Sequence, residues 1–131
     1  RMCGNDWIVL RLADVYLMHV EAKMAGLGST QNLDAIASYN MVRARVGMPE
    51  VATDGTGEVT LEDLLNERRI ELGFENHRLD DLKRTGQAQT VLSEFAAANN
   101  YAFSATDLLL PIPQNEINVS DGQLTQNPGY N

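Results

Sequence analysis

The spacing of apolar and polar positions predicts helices along most of the chain. Leu12, Val15, Tyr16, Ala22 and Met24 mark the apolar face of a first helix, which Asn5 or Asp6 can cap and which runs from near Trp7 to Ala25. Leu17 and Met18 widen that face, as in a helix sandwiched between neighbours, and Arg11, Asp14 and Glu21 are its polar exceptions. Gly26-Leu27-Gly28 ends it. Asn32 opens a second helix through Val46, with Leu33, Ile36, Ala37, Val42 and Val46 as its apolar residues. Gly47 is placed for a left-handed cap, and Pro49 follows as a stop. The pair reads as an antiparallel hairpin over about residues 7–46. Ala35-Ile-Ala-Ser-Tyr39 reproduces the A-x3-F/Y element of a tetratricopeptide second helix, although the first-helix tryptophan, leucine and glycine of that consensus are out of register.

Residues 50–59 form a glycine-rich loop. Asp54, Thr56 and Glu58 faintly suggest a calcium loop, but Val59 stands where its glycine belongs. Thr60 and Asp63 make a capping box that launches central helices over about 60–84. Leu61, Leu64, Leu65, Leu72, Phe74, Leu79 and Leu82 supply their apolar positions. The periodicity loosens after Gly73, which predicts one helix ending near Asn76 and a short one from Leu79 to Arg84. An alanine-rich helix follows over about 88–98. In the tail, 104–131, Asp107-Leu-Leu-Leu-Pro-Ile-Pro113 carries two prolines and reads as extended. Its apolar residues are expected to lie across the helices and seal their core, with one helical turn at Gln114–Ile117 that has Pro113 at its first position. The fold class is all-α, with tetratricopeptide-like hairpins and an extended, proline-containing C-terminal segment.

At 131 residues the chain fits one domain. A net charge of −8 argues against nucleic acid and anionic membrane surfaces. The positive charge is eight Arg against two Lys, and guanidinium forks suit desolvated pairs with carboxylates. Cys3 alone cannot make an internal disulfide. No run reaches the length of a membrane helix.

Glu67, Glu71, Glu75 and Arg78 recur at helical spacing on one face, and Arg68 sits on the apolar side, where a charge needs a partner. Paired carboxylates could act as acid and base, but Arg68, Arg69 and Arg78 would hold them ionised, which suits a clamp better than a proton shuttle. The expectation is a structural ion-pair network drawn from Arg11, Glu21, Arg43, Glu67, Arg68, Glu71, Glu75, Arg78 and Asp81. Its bridges between helices would join Glu67, Glu71 or Glu75 to Arg43, Arg45 or Arg78. His77, Asp80 and Asp81, with Glu75 nearby, have the spacing of a metal face but no second ligand cluster to complete it. His19 reads as a packing residue, and Cys3 has no histidine placed beside it. No catalytic residue, metal or cofactor is expected.

Four segments together resemble the C-terminal part of the SusD/RagB family. They are Arg11-Leu-Ala-Asp-Val-Tyr-Leu-Met-His-Val-Glu-Ala22, Tyr39-Asn-Met-Val-Arg-Ala-Arg-Val-Gly-Met-Pro49, the stretch from Asn66 to Gly86, and Leu109-Leu-Pro-Ile-Pro-Gln-Asn-Glu-Ile117 with the closing Gln126-Asn-Pro-Gly-Tyr130. The resemblance implies a non-catalytic, surface-exposed lipoprotein of a Gram-negative outer membrane. Such a protein captures oligosaccharides and hands them to a SusC-like TonB-dependent transporter. It implies that the chain is the C-terminal portion of a longer protein whose lipidated cysteine, and most of whose sugar-binding residues, lie in an N-terminal part. Asn76 stands where the family usually has glycine and Leu79 where an aromatic is common. Trp7 and Tyr16 read as packing residues, leaving Tyr101, Phe103 and Tyr130 as candidates for sugar contact. The other reading is a helical-repeat adaptor for a protein or peptide partner.

Overall fold

The computed structural model describes residues 9–130. Helix α1 (Leu12–Met24) leads through β1 (Ser29–Thr30) to α2 (Leu33–Arg45), and β2 (Val59–Thr60) leads into α3 (Leu61–Glu71). Then come α4 (Arg78–Arg84), α5 (Ala88–Ala98), a single 3-10 turn (Ala105–Leu108) and α6 (Gln114–Val119). The architecture is all-α, with a tetratricopeptide-like hairpin of α1 and α2. The chain divides into two compact units, one up to Arg78 and one from Leu79 onward.

In the first unit the core joins Leu17, Val20 and Met24 of α1 to Ala35, Ile36, Tyr39 and Val42 of α2, Val59 of β2 and Leu64 of α3. Burying each large side chain contributes about 1.5–3 kcal/mol. Of the apolar face its spacing suggests, Met24 is buried and Tyr16 packs against the core, but Leu12, Val15 and Ala22 are exposed, and Asp14, Leu17 and Val20 are buried instead. With apolar residues all round, the pattern leaves the choice open, and the pairing of Asp14 described below decides it. The helix also starts at Leu12 rather than near Trp7. Arg11 is extended (φ −139, ψ 164) and its carbonyl accepts the first helical bond, from Val15. The proposed caps Asn5 and Asp6, Trp7 as a packing residue, and Cys3 lie outside the described residues. Ala25 closes the helix in the left-handed conformation.

The Asn32 side chain accepts from the backbone of Asp34 and Ala35, as a cap should. Ser29–Thr30 pairs antiparallel with Val59–Thr60, a ladder too short to announce itself in the sequence. Both ends of the loop between α2 and α3 are held. The Asn40 amide accepts from Val51 N and donates to Val51 O, at 2.9 and 2.8 Å, while Val59 is in the ladder. Gly57 is required there, since a Cβ would stand 2.0 Å from the Ala52 carbonyl. Asp54 folds back on Thr56 through two hydrogen bonds, which hold its carboxylate below its usual range.

The capping box of Thr60 and Asp63 is formed on both sides. α3 ends at Glu71, earlier than Asn76, because the following turn places Phe74 (φ 67) and Asn76 (φ 65) in the left-handed region. Asparagine tolerates that conformation best after glycine, which suits Asn76 to its place in the turn. Phe74 and Leu79, expected among the apolar contacts, are exposed, whereas Leu64, Leu65, Leu72 and Leu82 are buried.

The second unit buries fewer apolar side chains, namely Leu82, Ala88 and Ala96. α5 has the bounds its composition predicts. The Leu-Pro-Ile-Pro segment differs from expectation. Asp107 and Leu108 belong to the 3-10 turn, and Leu109 and Leu110 are exposed rather than sealing a core. Pro113 caps α6 instead of occupying its first position, and the helix extends to Val119. The segment is held by polar side chains of the tail. The Gln126 amide accepts from Ile112 N at 2.7 Å and donates to Ile112 O at 2.9 Å. Asn127 donates to the Leu110 carbonyl and the Tyr130 hydroxyl to the Leu109 carbonyl, each at 2.7 Å. Gly129, at φ 91, passes so close to Thr106 that a Cβ would sit 2.9 Å from its hydroxyl.

Candidate functional site

The charged residues of the first unit converge on the C-terminal half of α3. Arg11 Nε donates to both carboxylate oxygens of Glu75, at 2.9 and 3.0 Å, and Nη1 donates to Glu71 Oε1 at 2.6 Å. Its Nη2 donates to the Glu71 backbone carbonyl. Arg11 thus satisfies one of the carbonyls left over at the end of α3, and its positive charge stands where the helix dipole favours it. Arg45 reaches the same Glu71 carboxylate at 2.6 Å. Arg43 pairs with Glu67 at 2.6 Å, donates to the Pro49 carbonyl at 2.7 Å, and lies 5.4 Å above the centre of the Tyr39 ring. Arg68 meets Asp14 at 2.7 Å with both side chains buried.

The electrostatics follow from this packing. Burial is the largest influence on Glu71 and would raise its pKa, but the hydrogen bonds from Arg11 and Arg45 outweigh it and hold the carboxyl below its ordinary value. The bond to Glu75, joined by that to Glu71, raises Arg11 further. Burial, with the nearby Glu67 charge, pushes the Tyr39 hydroxyl up. Glu71 is therefore an ionised link between two guanidiniums.

Of the predicted ionic residues, Arg11, Arg43, Glu67, Glu71 and Glu75 are brought together, and Arg68 finds its partner in Asp14 of α1. Arg78 donates to the Leu65 carbonyl at 3.4 Å. Asp81 belongs to the second unit, where it accepts from Arg84 at 2.6 Å. Glu21 is half-buried on α1. His19 Nδ1 is 2.8 Å from the Ser38 hydroxyl. Among the described residues no group of three or more His, Cys, Asp or Glu is placed to hold a metal.

Two other surfaces stand out. An apolar groove of about 550 Å³ lies along α1 and α2, with Leu12, Tyr16, Met41 and Ala44 in its lining and Arg11 and Arg45 beside them. In the second unit Tyr101 stacks on Phe95, which is not among the sugar-contact candidates, with centroids 6.5 Å apart. A six-residue separation across the end of a helix gives no periodic signal, which is why the pair went unseen. Phe103 and Tyr130 are half-buried, and Tyr130 spends its hydroxyl on the Leu109 carbonyl.

The SusD family model matches residues 3–130. The chain belongs to the SusD family. SusD-like protein P2 of Formosa agariphila is 31% identical across 99% of this chain, and a SusD-like protein of Bacteroides ovatus is 34% identical across 51% of it. Among solved structures, surface glycan-binding protein A from Bacteroides thetaiotaomicron superposes with a TM-score of 0.74 at 32% identity over 95% of this chain. The same protein in complex with laminarihexaose superposes equally well. The chain spans 27% of the Formosa protein and 25% of the Bacteroides structure, about a quarter of each.

Proposed function

We propose that this chain is the C-terminal, mainly scaffolding part of a longer, non-catalytic protein. That protein would capture glycans at the outer face of an outer membrane and deliver them to a SusC-like TonB-dependent transporter. The observation that carries the reading is the likeness, at 32% identity over 95% of the chain, to a surface glycan-binding protein solved with laminarihexaose. The first unit's geometry fits a scaffold. Arg11, Arg43, Arg45 and Arg68 pair with Glu71, Glu75, Glu67 and Asp14 so as to tie α1, α2 and α3 together, and such pairs specify one arrangement of helices more than they add stability. Attachment would come from a lipidated cysteine outside this chain.

Affinity electrophoresis through gels containing a panel of neutral and acidic polysaccharides, with the longer protein run beside this chain, tests the proposal. Retardation of the longer protein by at least one glycan is the expected result. If neither is retarded, the second reading gains, a helical-repeat adaptor for a peptide or protein. The apolar groove along α1 and α2 is what favours that alternative.

A further inference from the structure

Helix α5 ends in a Schellman cap. Asn100 is left-handed at φ 58, and the Tyr101 N–H donates to the Ala96 carbonyl at 2.9 Å, which fixes Tyr101 against the last turn. Asn99 adds backbone and side-chain bonds to the Phe95 carbonyl, at 3.1 and 2.8 Å. The rings of Phe95 and Tyr101, on the two sides of this cap, lie 6.5 Å apart and 24° from parallel. An apolar contact at this place commonly accompanies such a cap, and for that purpose any two side chains covering one another would serve. Here Phe95 remains 59% exposed and Tyr101 67% exposed, so the capping contact leaves most of both rings facing water.

Two fixed aromatic faces, the phenol hydroxyl and the exposed Asn100 side chain meet the needs of a pyranose. Its C–H face seeks an aromatic plane and its hydroxyls seek donors and acceptors. The backbone that carries both rings is already ordered and has little freedom left to lose on binding. The net charge of −8 disfavours uronic or sulfated sugars and points to a neutral one. We infer that Phe95 and Tyr101 form a stacking subsite for a neutral glycan. This rests on the glycan-capture reading above and assigns part of that work to this chain.

Affinity electrophoresis in laminarin reads the subsite directly, using the chain, its Phe95→Ala, Tyr101→Ala and Tyr101→Phe variants, and the longer protein. The chain is expected to be retarded, either alanine variant to lose about tenfold or more in apparent affinity, and Tyr101→Phe to stay within about threefold. Circular dichroism checks each variant, and Phe95→Leu replaces any alanine variant that loses helix. Alanine variants retarded like the parent chain overturn the subsite and leave glycan capture standing. Retardation of the longer protein without the chain does the same. If laminarin and the rest of the panel retard neither, glycan capture itself falls, and the subsite with it.

Discussion

In the first unit Leu17, Val20, Ile36 and Leu64 are wholly buried and the charges among them are paired across three helices. In the second, buried apolar side chains shrink to Leu82, Ala88 and Ala96, and the amides of Gln126 and Asn127 fasten the backbone instead. The first arrangement is cooperative, because removing one charge strands another in the interior. The second is local, because each lost bond frees a group that water can reach. The same kind of substitution should therefore have different consequences in the two units.

The buried pair offers the largest test. Arg68→Ala leaves Asp14 unpaired and is expected to cost about 3–5 kcal/mol in urea denaturation. The double variant Asp14→Leu with Arg68→Met should recover most of that loss, since it removes both charges of the pair. A single variant as stable as the parent would sink the account of α1's orientation. Next in size is a matched pair of truncations. Leu64→Ala in the first core should cost about 2–5 kcal/mol, whereas Leu110→Ala, at a site 75% exposed, should stay within about 0.5 kcal/mol. Similar costs at both sites would erase the distinction between the units.

Arg11 is partly exposed, so solvent screening reduces its contribution. Arg11→Ala should cost about 1–2 kcal/mol, and added salt should narrow the gap to the parent. The carboxyl of Glu71 is held below its ordinary value in the folded chain, so on acidification the unfolded chain takes up that proton first. Its stabilisation is complete above the ordinary glutamate value of about 4.3 and is lost as pH falls through the lower folded-state value. Denaturation midpoints between pH 2 and 6 should show a shallower acid limb in Arg11→Ala than in the parent. The most local effect belongs to the tail. Gln126→Ala should cost about 1 kcal/mol and speed amide hydrogen exchange at Ile112 while leaving exchange in the core of the first unit unchanged.

Much of this was legible in the sequence. The caps at Asn32 and Thr60 and the bounds of α5 follow from local chemistry, which operates within a turn of helix. The need of Arg68 for a partner was visible too, but not that Asp14, 54 positions away, supplies it. What stayed hidden were tertiary choices. With apolar residues on every side of α1, the pattern cannot say which face goes inward. Nor could the pattern stop α3 at Glu71, because its last turn is finished by Arg11 from just before α1. The exposed Leu-Pro-Ile-Pro segment misled because its hydrophobicity suggested burial, while its actual fastenings are amides that read as an unremarkable polar tail.

The loop between α2 and α3 carries a practical consequence. Asn40 holds it at Val51 and the two-residue ladder holds it at Val59, so the span of its ends is set before the tip at residues 53–56 contributes anything. Each doubling of a flexible loop adds only about 0.6 kcal/mol of closure cost. An epitope, a fluorophore-binding peptide or a small folded module grafted at Gly55 would therefore hang from two fixed points. The hairpin and α3 need not register what the graft contains.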